Sequence, residues 1–340
     1  MKKVLAVAAL LGLAGAAQAE VTLYGLIDMS YGKNEIAFPG QKEDFFSGGD
    51  NGGAGGNQGN STSKFGLKGS TNVAPGIKAN FQLESSGIKS NGSIANDANG
   101  DGFFGRQAWA GFSGSFGEVR LGRQDDVIFQ TVIGYDANGA ANAASAWGNA
   151  GTGIFGVGRQ SRSLQYISPV VADFKLQVSL QPKGNTPGAK DTIGAALTYV
   201  AGPMSVSVAA QSQTTEKNDD RALVIGSYDL GFAKIALGYS YAGYVRPDLL
   251  APNGGKPNAG YAYGPSFGIS APVAGFNVGL QMSQNNADNG SMATEFFVNK
   301  EIFKGTYGYL DIGSTDKLAK ASGMGTETRN AYAIGVIYTF

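Results

Sequence analysis

The side chains available for chemistry are limited from the outset, because this 340-residue chain contains neither His nor Cys. A Ser-His-Asp relay cannot be assembled without an imidazole, and ordinary zinc sites lose both of their usual ligand types. Gly264-Pro-Ser-Phe-Gly268 fits the G-x-S-x-G pattern of a nucleophile elbow. Ser266 has no base to take its proton, however, and reads as a strand residue facing a wet interior. Gly151-Thr-Gly-Ile-Phe-Gly156 fits the dinucleotide fingerprint, which needs a strand before it and a helix after it. Here it sits in an Ala/Asn/Gly loop. Asp97-Ala-Asn-Gly-Asp-Gly102 opens like an EF-hand loop, but its twelfth position is Ala108 and helical flanks are missing. It reads as a surface loop, with an adventitious divalent site as the alternative. The sequons at Asn60, Asn91 and Asn289 are matches by pattern only. No catalytic residue, cofactor site or metal site is assigned, and no enzymatic activity is expected.

The remaining chemistry is electrostatic. Lys64 and Lys68 share one parity, opposite Phe65 and Leu67, while Glu118 and Arg120 share another, opposite Val119 and Leu121. Arg123 ends that second run. Asp125, Asp126 and Asp136 follow on a long Gly/Asn-rich stretch, with Arg106 before it and Arg159 and Arg162 at its far end. These make seven bases against four acids in one region. Fixed charges lining a narrow aqueous passage orient dipolar solutes and bias ion traffic. Two unit charges about 4 Å apart interact by about 4 kcal/mol at an effective dielectric of 20, so even a screened fraction sorts ions.

The elements that carry these residues read as strands. Tyr332, Ile334, Val336, Tyr338 and Phe340 alternate with Ala331, Ala333, Gly335, Ile337 and Thr339. Period-two alternation sends the two sets to opposite faces. The same pattern recurs at Val21–Tyr31, Ile77–Glu84, Phe174–Gln181, Met204–Gln211 and Phe276–Ser283, with a polar face of uncharged Gln, Asn, Ser and Gly. It weakens around 104–112 and 293–300. Seven short turns alternate with eight long Gly/Asn/Asp-rich loops, which makes fifteen connections and sixteen strands. An even strand count with short turns at one end and long loops at the other describes a transmembrane barrel, and sixteen strands leave an aqueous channel. Gly supplies 53 residues, more than twice the usual share of about 7%, which suits turns and loops and disfavours helices.

Composition and the N-terminus bound the rest. Lys2 and Lys3, the apolar run Val4–Ala16 and Ala17-Gln-Ala19 form a cleavable export signal, too short to span roughly 30 Å of hydrocarbon. Cleavage after Ala19 leaves one domain over residues 20–340, with 24 bases against 26 acids and a formal net charge of −2. That balance gives no reason to expect nucleic acid.

Several segments together resemble the Gram-negative trimeric porins, in particular the β-proteobacterial and neisserial group. They are Val21-Thr-Leu-Tyr-Gly-Leu-Ile-Asp28, Ser63-Lys-Phe-Gly-Leu-Lys-Gly69, Phe104-Gly-Arg-Gln-Ala-Trp-Ala-Gly111, Phe116-Gly-Glu-Val-Arg-Leu-Gly-Arg123, Tyr166-Ile-Ser-Pro169 and the terminal Phe340. The resemblance covers the whole mature chain, and the Phe-Gly-x-x-x-x-Gly-Arg block is its most specific part. It implies an all-β fold, a sixteen-stranded antiparallel barrel with short periplasmic turns, long extracellular loops and a third loop, about 124–160, folded inward. It also implies a homotrimer in the outer membrane, with lipid and lipopolysaccharide around it and small hydrophilic solutes and ions passing through. Trimer contacts would involve the first and last strands, with the second loop near 90–103 latching into a neighbour. Phe340 would be read by the outer-membrane assembly machinery. The family often has Arg where this chain has Lys64 and Lys68, and Lys is a more hydrated, less rigid donor.

Taken together, the expected function is passive diffusion with a weak anion preference through a constriction between the third loop and the basic wall. Wall salt bridges that leave the pore nearly unselective are the plainer alternative. Rival readings are a porin tuned to small organic acids or phosphate, a barrel enzyme, and an exported β-rich adhesin or lectin.

Overall fold

The computed structural model describes residues 20–340 apart from 37–44, 48–58, 86, 90–91, 93, 95–101, 141, 157, 185–189, 213–219, 244–260, 288–290 and 317–327. The export signal with Ala19, most of the EF-hand-like stretch and most of the second loop lie outside the described residues.

Sixteen strands among the described residues form one antiparallel sheet that closes on itself. They are β1 (Glu20–Asn34), β2 (Lys64–Ala74), β3 (Ile77–Glu84), β4 (Gln107–Gly114), β5 (Gly117–Asp125) and β6 (Arg159–Ile167). Next come β7 (Phe174–Gln181), β8 (Thr192–Ala201), β9 (Met204–Gln211), β10 (Arg221–Asp229) and β11 (Lys234–Ala242). The last five are β12 (Ala262–Val273), β13 (Phe276–Gln284), β14 (Met292–Phe303), β15 (Thr306–Thr315) and β16 (Arg329–Thr339). A three-residue strand, Phe45–Ser47, pairs with Ser30–Gly32 of β1, beyond Leu26 where the β1–β2 ladder ends.

Closure is made by β1 and β16, in register from Leu26↔Thr339 to Asn34↔Ala331. Below that ladder Gly25 N donates to the Phe340 carbonyl at 2.9 Å, and Phe340 N donates back to the Gly25 carbonyl at 3.1 Å. A Cβ on Gly25 would lie 2.6 Å from the Phe340 ring, so the aromatic residue packs across the seam where Gly leaves space. Pairing the first strand with the last removes the free edges that a sheet in lipid cannot leave open.

The alternation in sequence becomes two faces of different chemistry. In β16, Ala331 and Ala333 are buried inside, while Ile334, Val336 and Tyr338 are 43–56% exposed on the outside. Leu23, Leu121 and Leu237 are likewise about three-fifths exposed. Such a belt is a liability in water and the surface that lipid accepts.

The two segments with weak alternation are β4 and β14, and the cause lies inside the barrel. Ala293, Glu295 and Phe297 form the inward set of β14, each 1% exposed or less, while Phe296 faces out at 40%. Apolar residues therefore stand on both faces. In β4 the inward Trp109 has the same effect, opposite the outward Phe112.

At the short-turn end, Val273-Ala274-Gly275-Phe276 is a two-residue hairpin with φ of 50° at Ala274 and 78° at Gly275. Two positive φ angles in a row define a type I′ turn, which favours Asn-Gly. Ala pays for the left-handed conformation by roughly 1–2 kcal/mol. Ala274→Asn is therefore expected to stabilise the barrel by on the order of 1 kcal/mol. The folded species should persist to a higher temperature on a heat-modifiability gel, and an unchanged or lower transition would contradict the assignment.

Candidate pore constriction

The third long loop runs from Asp126 to Gly158 and contains two short helices, α1 (Val127–Val132) and α2 (Ala146–Asn149). Asp126 is the N-cap of α1, its Oδ1 accepting from Phe129 N at 2.7 Å. Val127, Ile128, Val132, Trp147 and Ile154 are each 1% exposed or less. They pack against Ala196, Ala209, Ile225, Ala236 and Ala293 of the wall. Those wall residues have the inward parity, since their neighbours Leu197, Val208, Val224 and Leu237 are exposed on the outer face. The loop therefore lies inside the barrel, α1 along β7–β10 and α2 along β13–β15. Small Ala side chains leave it room, and removal of its aliphatic residues from water supplies the attraction, about 1.5–3 kcal/mol for each one fully buried.

Polar contacts fix where the loop comes to rest. Trp147 Nε1 donates to the Phe267 carbonyl at 3.0 Å, and the Tyr135 hydroxyl lies 2.7–2.8 Å from the hydroxyls of Ser205 and Ser207. At the loop's far side Asn138 Nδ2 donates to Glu295 Oε1 at 2.8 Å and to Asp311 Oδ1 at 2.9 Å. Asn60 Nδ2 donates to Asn138 Oδ1 at 3.0 Å and to Asp311 Oδ2 at 2.9 Å. Asp28 accepts from Tyr309 OH at 2.7 Å and from the backbone of Asn60 and Ser61. Glu295 Oε2 accepts from Ala146 N at 2.9 Å, at the start of α2. Asp136 Oδ1 closes the chain, accepting from Gln281 Nε2 at 2.8 Å and from Asn138 N and Gly139 N at 3.0 Å each. Four carboxylates are thus held by amides, hydroxyls and backbone N–H groups.

Across the passage stands the charged wall. Arg106 Nε donates to Glu84 Oε1 at 2.6 Å, and Lys64 Nζ lies 3.8 Å from the same oxygen. Arg159 Nε is 3.3 Å from Asp125 Oδ1. Arg120 pairs with Glu118 at 2.7 Å and stacks on Trp109, 4.3 Å from the ring centroid. Lys68 Nζ lies 5.1 Å over the Tyr24 ring. A cleft of about 350 Å³ separates this wall from the loop, bounded by Lys64, Glu84, Arg106 and Asp125 on one side and Phe129 and Asn138 on the other. It is continued toward the short-turn end by about 400 Å³ bordered by Lys68, Asn80, Trp109 and Glu118. Arg120 borders both. A water needs only about 10–15 Å³ of such space, so the passage is wet.

Of the residues singled out in the sequence, Lys64, Lys68, Arg106, Glu118, Arg120 and Asp125 border these clefts, and Arg159 stands behind Asp125. Four others are placed differently. Asp126 is fully buried as a helix cap, and Asp136 organises a turn in the loop. Arg123 ties the wall together, donating from Nε to the Gly105 carbonyl at 2.6 Å and from its terminal nitrogen to Ser161 Oγ at 2.5 Å. Arg162 faces outward. Between the pairs Gly122↔Ser163 and Gln124↔Gln160, β6 carries one residue more than β5, and Arg162 has a φ of 56°. A bulge re-aims a side chain; Arg162 turns out beside exposed Leu164, toward Gly184. Glu84, Tyr24, Glu295 and Asp311 were not singled out. Glu84 was visible only as the last polar residue of β3. Ser266, inside β12, lies 2.9 Å from Ser283 Oγ, and the Gly151–Gly156 motif itself ends in a turn, with strand β6 as the next element.

Burial pushes the Asp136 carboxyl above its ordinary range, against bonds from Gln281, Asn138 and Gly139 that favour the charged form. A raised value means that the docked loop holds its proton to higher pH than the free loop. Docking is thus strongest below about pH 4 and weakens as pH rises through the Asp136 value. Open-channel current noise is expected to grow as pH rises above about 4 in the wild type and to grow less in Asp136→Asn. A variant whose noise tracks pH as the wild type's does would contradict this role.

A model of the Gram-negative porin family matches residues 6–273. Outer membrane porin protein 32 of Delftia acidovorans is 30% identical over 99% of this chain and 95% of its own length. An outer membrane porin protein of Bordetella pertussis is 29% identical over 99% of this chain and 90% of its own. Among solved structures, an anion-selective porin from Comamonas acidovorans superposes with a TM-score of 0.73 at 23% identity, covering 95% of this chain and 100% of that one. OmpT of Vibrio cholerae in its trimer form superposes with a TM-score of 0.64 at 16% identity, covering 95% and 99%. With the family match spanning most of its length and the closed barrel around a wet cleft, the chain belongs to the Gram-negative porins, outer-membrane β-barrels that act as passive channels and not as enzymes.

Proposed function

We propose that the protein is a general diffusion channel for small hydrophilic solutes and ions, exported by removal of residues 1–19 and assembled as a homotrimer. Its filter is steric at the third loop and electrostatic at the facing wall, with a weak preference for anions. The observation that carries this reading is the wall itself. Lys64, Lys68, Arg106, Arg120 and Arg159 stand against Glu84, Glu118 and Asp125, an excess of two positive charges. The loop opposite adds little negative charge to the passage, because Asp126 is buried as the cap of α1 and Asp136 is held by the loop backbone and by Gln281 of the wall behind it. Two similar proteins support the reading: the Comamonas porin is described as anion-selective, and the Vibrio OmpT as a trimer.

The test is the reversal potential of single channels in planar bilayers under a potassium chloride gradient. Chloride is expected to be modestly more permeant than potassium, and the difference should shrink in 1 M salt, where the Debye length is about 3 Å. A potential of the sign that favours potassium would overturn the proposed preference.

A further inference from the structure

We infer that Glu84 sets the strength of the anion preference, as a counter-charge built into the basic wall; this rests on the channel reading above. Three contacts hold its carboxylate. Oε1 accepts from Arg106 Nε at 2.6 Å and faces Lys64 Nζ at 3.8 Å, while Oε2 accepts from Tyr24 OH at 2.9 Å. The Tyr24 hydroxyl is itself fixed from the other side by Gln82 Nε2 at 2.7 Å. The carboxylate is recessed, its side chain 6% exposed, while Arg106 and Lys64 are 15% and 23% exposed. A permeating ion therefore meets the two cations first and feels Glu84 behind them as a reduction of their field.

The other acids of the passage are placed to do less. Asp125 pairs directly with Arg159, while Arg106 and Lys64 act on it only from beyond ion-pair distance. Glu118 pairs with Arg120 two residues along the same strand, and both side chains are about a fifth exposed, so water and salt screen that pair. Glu84 alone among these three acids contacts two bases of the cleft. Glu84→Gln keeps the shape and removes one negative charge, taking the wall from five bases against three acids to five against two.

A unit charge acting over roughly 8–10 Å of wet passage shifts ion energies in opposite senses for anions and cations. At 0.1 M salt the chloride-to-potassium permeability ratio of Glu84→Gln is expected to rise roughly twofold or more, with a smaller rise at 1 M. Arg106→Gln is the companion variant and should move the ratio the other way. Both ratios are read from reversal potentials of channels that still open in discrete steps. A Glu84→Gln ratio equal to or below the wild type's would overturn the assignment, as would two variants moving in the same direction. No discrete conductance from the wild-type protein would overturn the channel reading itself, and this inference with it.

Discussion

The packing of the third loop against the inner wall is the interaction on which the passage depends. A closed sheet of sixteen strands leaves a lumen wider than side chains alone can fill. The chain meets that geometry with a loop whose aliphatic residues and Trp147 are as buried as any soluble core. The partners are inward Ala residues on β8, β9, β11 and β14, positions that in an unobstructed lumen would be expected to be polar. The only sizeable hydrophobic core among the described residues is therefore inside the barrel, between loop and wall. The outer apolar belt meets lipid instead.

This docking also sorts the charges. On the anchored side Asp28, Asp136, Glu295 and Asp311 are bonded to amide, hydroxyl and backbone donors. Low local dielectric strengthens such bonds and raises the cost of breaking any one of them. On the open side Glu84, Glu118 and Asp125 are each beside Arg or Lys and border the water-filled cleft. Acids thus serve as fasteners behind the loop and as counter-charges in front of it. What the passage presents is the difference between bases and acids on one wall.

The barrel was legible in the sequence because its determinants are local. Period-two alternation and the placement of Gly and Pro in turns need no knowledge of distant contacts, and they lead to the sixteen strands observed. Parity likewise placed Lys64 and Lys68, and Glu118 and Arg120, on inward faces. The charged site was only partly legible, and each miss has a physical cause. Arg162 reads as a pore charge because it stands next to the third loop in the chain, but the bulge in β6 turns its side chain outward. Asp126 reads as a pore charge until a helix begins at Val127 and supplies an N–H to cap. Glu84 gains its role only when register and the chain before β4 bring Lys64 and Arg106 to it. The anchor joins residues as far apart as Asn60 and Asp311, separated by 251 positions, and no local pattern announces such a bond.

Because the chain has no Cys, a single introduced thiol reports on one position without background. Lys64→Cys places it on the wet face of β2, and Leu121→Cys places it on the apolar outer face of β5. A charged, water-soluble methanethiosulfonate reagent added to open channels is expected to reduce the single-channel current of Lys64→Cys and to leave that of Leu121→Cys unchanged. A Lys64→Cys channel that ignores the reagent, or a Leu121→Cys channel that responds in its place, would contradict the central claim that ions pass between the docked loop and the basic wall.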